Sequence, residues 1–393
     1  EKNTEKDKKN IKMKIAAICG APNHNTGMMF VDRALYLYLK SKKLLANTTF
    51  FCFQLKAKNK VGFEYSPLTK DVNLNDYDCV IVWGDFIVSN HFLSMTQPKI
   101  RNKSEFFDFD LQYKVLLGAF SELDLKKVIV FGQCIVVDGR EVLAESSYLK
   151  LLKRLLNNAS LFKVRDPLSV YRAKLISDVS KDYLGVDSAL LNYTLDSNRI
   201  DKIRNNIEKN KKNKIGLFFA RSKNINLKKK VLGYYLKFKL KNNQYKWIPW
   251  LENKQQSKRF FKFANDCNPI TDLDYISEIL ECDLIITDTY HLSLMAWSLG
   301  VPCICYGKAT EHFKLTIHDK KKEIFFSSNF IDDFYFYTET EKFISDIKNN
   351  IIGEIIDKGI NTNVGELVSK NISDLSAKSI VDLDLALEYI LKE

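Results

Sequence analysis

The stretch from Cys282 to Tyr306, CDLIITDTYHLSLMAWSLGVPCICY, holds the densest chemistry in the chain. An apolar run ends in a polar turn, Asp288-Thr289-Tyr290-His291, and a helix with small residues follows. Gly300 stops that helix, Val301-Pro302 turns the chain, and a second apolar run begins. His291 therefore stands at a helix N-terminus, where backbone N–H groups and the helix dipole favour anions. Asp288 can orient the imidazole from the same turn or cap the helix. Arg221 directly follows the apolar run IGLFFA; its guanidinium can fork onto a phosphate or carboxylate, or face solvent. Arg165 opens the turn Val164-Arg165-Asp166, for a ligand or to help cap a helix starting at Pro167. Asn25 and Gly27 line an early loop where Gly27 lets a ligand approach the backbone, although a plain turn opening a helix reads equally well.

Positioning these residues requires strands that alternate with helices. Lys14–Cys19, Asp78–Trp83 and Lys127–Phe131 read as buried strands, and Met28–Lys42 and Ser146–Leu156 carry helical spacing. An Asn/Lys-rich segment follows, and then the pattern restarts. Strands are expected at Ile215–Phe219, Tyr245–Ile248, Leu284–Thr287 and Cys303–Tyr306. Helices are expected at Lys228–Leu240 and at Leu273–Leu280, the latter with Asp272 as N-cap. Such alternation predicts an α/β protein of two Rossmann-like domains facing across a cleft. Ligands of open parallel sheets bind beyond the carboxyl ends of strands, so the loops after Cys19, Trp83, Phe131, Phe219 and Thr287 are the places for a site. The expected organisation is a charged arm at 1–13, a first domain at 14–195, a connector at 196–214, a second domain at 215–375 and a C-terminal helix at 376–393.

With 393 residues the chain is long enough for two cores. Its 60 Lys+Arg against 48 Asp+Glu leave a net charge of +12. That excess attracts phosphates, anionic sugars, nucleic acid or an acidic membrane without choosing among them. No run reaches the length of a membrane helix, and the N-terminus carries no apolar signal core. None of the eight cysteines forms a C-x-x-C, and most lie in apolar runs, which favours reduced, buried thiols and a cytoplasmic protein. His24, His312 and His318 follow no ligand spacing, so no metal is expected. A G-x-G-x-x-G after the first strand, a Walker motif and a G-x-S-x-G elbow are all missing.

The ordered motifs resemble the polysaccharide pyruvyl transferase family. The His291 turn with its A-x-x-x-G-x-P-type helix exit is similar to that family's C-terminal signature. Val164-Arg165-Asp166 with Ser169 resembles its V-R-D-x-x-S element, and GVDSAL at 185–190 the D-x-A segment that follows. VFGQCI at 130–135, with Gln133, resembles a glycine-glutamine loop, and Asn25-Thr26-Gly27 stands where the family has N-x-G-D. Met28 replaces that Asp, Gly84-Asp85 replaces a double glycine, and Leu292 follows His291 where Gly is common.

The resemblance implies a glycosyltransferase-B-like architecture, with the acceptor on the first domain and the donor mainly on the second. It implies phosphoenolpyruvate as donor substrate, no bound cofactor, and transfer of a carboxyvinyl group to two hydroxyls of a glycan or polyprenyl-linked sugar. His291 is then the candidate acid, since imidazole titrates near neutral pH. Arg221 and Asp288 complete the catalytic set. Arg165, Asn25, Gly27, Gln133, Thr289, Tyr290 and Lys320 are the substrate-binding candidates, with a solvated helix as the plainer reading of Lys320 and Lys321. A nucleotide-sugar glycosyltransferase of the same architecture, with Glu311 on the ribose, and a non-catalytic glycan-binding protein are the alternatives. The basic, aromatic stretch from Lys228 to Trp250 is expected to be largely core with a plain solvated face; peripheral contact with an anionic membrane, at the inner face of the cell membrane, is the second reading and nucleic acid is disfavoured.

Overall fold

The computed structural model describes residues 13–20, 25–52, 62–69, 71–84, 120, 122–135, 147–207, 213–220, 226–251, 255–307, 317–338 and 340–392. The first half holds β1 (Ile15–Ile18), β2 (Thr48–Cys52), β3 (Tyr65–Pro67), β4 (Cys79–Trp83), β5 (Val128–Gln133) and β6 (Leu161–Val164). The second holds β7 (Lys214–Phe218), β8 (Gln244–Trp247), β9 (Asn265–Asp266), β10 (Leu284–Thr287), β11 (Cys303–Gly307) and β12 (Tyr335–Tyr337). Each half forms one sheet with every pairing parallel, in the orders β3-β2-β1-β4-β5-β6 and β12-β11-β10-β7-β8-β9. Strand order reverses between β1 and β4 and again between β7 and β10, and these switch points open the crevices in which such folds bind ligands.

The described helices are α1 (Thr26–Ser41), α2 (Ser147–Asn158), α3 (Pro167–Ile176), α4 (Leu191–Leu195), α5 (Ser197–Asn205), α6 (Asn226–Lys239), α7 (Asp272–Leu280), α8 (Tyr290–Ser298), α9 (Ile317–Ser328), α10 (Thr340–Lys348), α11 (Ile351–Asn361) and α12 (Val364–Lys392). Among the described residues none is long and apolar enough to cross a membrane. All eight cysteines are buried and none is joined in a disulfide.

Two local details differ from the sequence expectation. Asp272 is not the N-cap of α7. Thr271 takes that place and forms a capping box with Asp274, which satisfies two backbone donors reciprocally. Asp272 is left free to bind Arg33 across the interface. The helix expected at 376–393 is the second part of α12, which begins at Val364.

α1 reaches the second half through two side chains. Phe30 stacks on Trp250 with ring centroids 5.5 Å apart. Arg33, buried, donates to Asp272 of the second half and to Asn192 (2.9 Å) and Asp196 (2.5 Å) at the crossing between them. α12 straps the same boundary: Ser369 Oγ donates to Ser298 O (2.7 Å), Tyr38 Oη to Asp384 (3.0 Å), and Lys163 pairs with Asp382 at 2.8 Å. A single apolar cluster accordingly runs through both halves, from Ile15 and Phe30 to Trp250, Ile285 and Trp297.

Candidate active site

β10 delivers the polar turn to the interface. Thr287 Oγ1 accepts the Thr289 N–H at 3.1 Å and lies 2.6 Å from Thr289 Oγ1, which fixes the turn from within. α8 then starts at Tyr290, and all nine of its residues are buried, so its first turn cannot swing outward. Its His291 ring meets the first half of the chain. Nε2 lies 4.0 Å from Asp187 Oδ2, at the outer limit of an ion pair. Asp187 lies beyond α3, where it caps the short turn Ser188–Leu190, accepting the Ala189 N–H at 3.1 Å.

Two cations converge on the same place. Arg165 Nη1 is 3.4 Å from Asp187 Oδ2, and its guanidinium lies 5.4 Å from the centre of the Tyr290 ring. Lys321 Nζ, from α9, approaches that ring at 4.4 Å. Tyr290 is edge-on to His291, with centroids 5.2 Å apart. Burial by itself would raise the Asp187 carboxyl. The positive field of His291, Arg165 and Lys321, with the Ala189 N–H, outweighs it and holds the group below the usual carboxylate range. Gly27, in the first turn of α1, completes the cluster: a Cβ there would stand 2.4 Å from His291 Nδ1. Gly27, Arg165 and Asp187 thus come from the first half, and Tyr290, His291 and Lys321 from the second.

The other sequence candidates occupy supporting places. Asp288 Oδ1 accepts the Ala220 N–H at 2.7 Å, and Oδ2 lies 3.7 Å from Lys229 Nζ, so this carboxylate ties the turn to the end of β7. Burial depresses Lys229 despite that neighbour. Asn25 is the N-cap of α1, its Oδ1 accepting from Gly27 N at 3.2 Å, a structural role that holds Gly27 in place. Gln133, fully buried, donates to Gly84 O and locks the loops after β4 and β5 together. Lys320 pairs with Glu323 at 3.0 Å on the solvent side of α9, outside the cluster. Arg221, Asp85 and Glu311 lie outside the described residues.

Asp187 and Lys321 had signals in the sequence. Asp187 is the acid of GVDSAL. Lys321 and Lys322 precede Phe325 and Phe326 by four residues, so they share the inward face of α9. Lys322 uses that position to donate to Asp288 O (2.7 Å) and Tyr306 O (3.0 Å). An imidazole beside a carboxylate, with two cations around an aromatic face, is a combination for binding a small polyanion and delivering a proton to it.

Comparison with known proteins agrees with the architecture. UDP-GlcNAc 2-epimerase from Neisseria meningitidis, bound to UDP-GlcNAc, aligns with a TM-score of 0.51 at 13% identity, over 94% of this chain and 100% of that one. The UDP-GlcNAc 2-epimerase of Methanocaldococcus jannaschii aligns with a TM-score of 0.50 at 14% identity, over 93% and 100%. At such identities the likeness concerns the fold, which is glycosyltransferase-B-like. No curated protein sequence matches the chain. Residues 6–307, well over half its length, match the family described as polysaccharide pyruvyl transferase. The chain belongs to the polysaccharide pyruvyl transferase family, a family of transferases.

Proposed function

We propose that the protein moves the carboxyvinyl group of phosphoenolpyruvate onto two hydroxyls of a sugar in a glycan or a polyprenyl-linked precursor, closing a ketal and releasing phosphate. The observation that supports this reading is the Arg165–Asp187–Tyr290–His291–Lys321 cluster at the interface. Phosphoenolpyruvate carries a carboxylate and a phosphate, and Arg165 and Lys321 supply one cation for each. His291 gives a proton to the terminal CH2 carbon, and the C2 cation that forms is stabilised by its enol oxygen. One sugar hydroxyl adds at C2, the C–O bond to phosphate breaks, and the second hydroxyl closes the ring. Of the two hydroxyl protons released, one replaces the proton given to carbon and the other leaves with phosphate. Asp187 keeps the imidazole aimed and offsets its charge.

The test is a binding titration with phosphoenolpyruvate beside UDP- and CMP-sugars, for the wild type and for Arg165→Ala, Lys321→Ala and His291→Ala. Binding of phosphoenolpyruvate that weakens by about tenfold or more without either cation is expected. His291→Ala should bind it yet abolish phosphate release in the presence of a sugar acceptor. Binding of a nucleotide sugar in place of phosphoenolpyruvate would make the protein a glycosyltransferase and remove the role given to His291.

A further inference from the structure

The helix α6 shows two unlike faces. Inward, Leu232, Tyr235 and Leu236 join the core, and Lys229 reaches Ser257 Oγ at 2.7 Å and the Asp288 carboxylate beyond it. Outward, Leu227, Tyr234 and Phe238 are 67%, 54% and 61% exposed. Their spacing of seven and then four residues places all three along one stripe of the helix. Single exposed apolar residues are ordinary on a protein surface, but a stripe of large ones is not.

Lysines border the stripe on both sides. At 100° per residue, Lys230 and Lys237 fall on one flank, and Lys228 and Lys239 on the other. The Tyr234 and Phe238 rings stack on each other, 6.0 Å apart and 17° from parallel. Lys230 Nζ lies 5.9 Å from the Tyr234 ring, and Lys237 Nζ 5.3 Å from that of Phe238. Among the described residues no acidic side chain neutralises Lys230, Lys237 or Lys239. Aromatic and aliphatic tips between two rows of cations match the acyl–headgroup boundary of an anionic bilayer: the rings enter the interface and the ammonium groups meet lipid phosphates. Because the two rings stack on each other, one face of each is taken up and closed to a nucleic-acid base.

We infer that the outer face of α6 docks the protein onto the surface of an anionic phospholipid bilayer. The first turn of the helix carries Leu227 outward and Lys229 inward to Asp288, so the docked helix backs onto the turn that leads into α8. A lipid-linked sugar would then reach the cleft from the membrane side. The exposure and charge of this face do not depend on whether phosphoenolpyruvate is the donor.

The experiment is co-sedimentation of the purified full chain with vesicles of phosphatidylcholine alone and of equal parts phosphatidylcholine and phosphatidylglycerol. It compares the wild type with Tyr234→Ser/Phe238→Ser and Lys230→Gln/Lys237→Gln. The wild type should pellet with the anionic vesicles only, and added salt should release it. The lysine pair should weaken binding about 25-fold, at about fivefold per lysine, and the aromatic pair by about tenfold or more. All four side chains are exposed, so melting temperatures should not change. Should a pair melt early, Phe238→Ser and Lys237→Gln singly carry the same comparison. No pelleting of the wild type, equal pelleting of the variants, or binding of single-stranded RNA or self-association through this face without vesicle binding would overturn the inference.

Discussion

Replacing Gly27 with alanine tests whether the contact between the halves sets the geometry of the site. A Cβ at this position would stand 2.4 Å from His291 Nδ1, 2.6 Å from Cγ and 2.7 Å from Cβ. Non-bonded atoms rest at about 3.5 Å, so the ring or α1 must retreat by about 1 Å. Rotation of the ring gives no relief, because the histidine's own Cβ is among the atoms met, and α8 is buried on every side. A misplacement of about 1 Å in a reacting group costs on the order of 100-fold in rate. Stability should respond differently, since alanine favours a helix over glycine by up to about 1 kcal/mol, while overpacking costs about 1–3 kcal/mol. The assay is a double-mutant cycle in urea unfolding, with phosphate release measured in parallel. In the wild-type background Gly27→Ala should be neutral to destabilising by about 2 kcal/mol. In a His291→Gly background the ring and its Cβ are both gone, and the same change should be neutral or stabilising, a coupling of about 1–3 kcal/mol. Equal effects in both backgrounds, or a full rate in Gly27→Ala, would refute the argument.

The remaining expectations concern single groups. Lys321→Ala should reduce turnover by about 100-fold and Lys320→Ala by less than about twofold, measured by phosphate release, because only Lys321 reaches the Tyr290 ring. Asp32 is fully buried in α1, accepts a hydrogen bond from Tyr65 Oη, and its other oxygen has no partner among the described residues; burial pushes its carboxyl from 3.8 up to about 7. The folded chain therefore binds more protons than the unfolded one between about pH 4 and 7, so this group makes stability fall as pH rises through that window; Asp32→Asn should remove the fall, gaining at most about 4 kcal/mol at pH 8 in unfolding titrations. Arg33→Ala leaves Asp272 and Asp196 without their shared cation, and with both partly open to solvent the loss should be about 2–4 kcal/mol, read as an early, broadened thermal transition.

What was legible in the sequence divides along a physical line. β1, β4, β5, β7, β10 and β11 are covered on both faces and so read as unbroken apolar runs. β3, β9 and β12 are three, two and three residues long, and β9 is exposed throughout; they exist because a neighbour offers hydrogen bonds, which no local pattern encodes. The His291 turn was readable for the same reason as the central strands: its strand, cap and stop lie within one short stretch. Asp187 is more than a hundred residues away, and its meeting with His291 is a fact about domain packing. Asn25, for which a ligand contact and a turn opening a helix read equally well in the sequence, caps α1. Lys320 and Lys321 differ by one residue, which on a helix is a rotation of 100° and the difference between solvent and site.

Half the cluster comes from each side of the interface, so its precision can be no better than the fit between the halves. A loosely hinged pair of domains would leave Arg165 and Asp187 to drift from His291 and lose the alignment on which fixed charges depend. Here the interface is joined by hydrophobic contact and by polar anchors placed apart: Phe30 on Trp250, Arg33 on Asp272, and the long strap of α12. Each anchor begins or ends on α1 or α8, the two helices that carry Gly27 and His291, or on a strand beside them. The contact that positions the imidazole is therefore braced by the same elements that join the domains, and a substitution that loosens Arg33 or α12 should weaken catalysis before it unfolds either half.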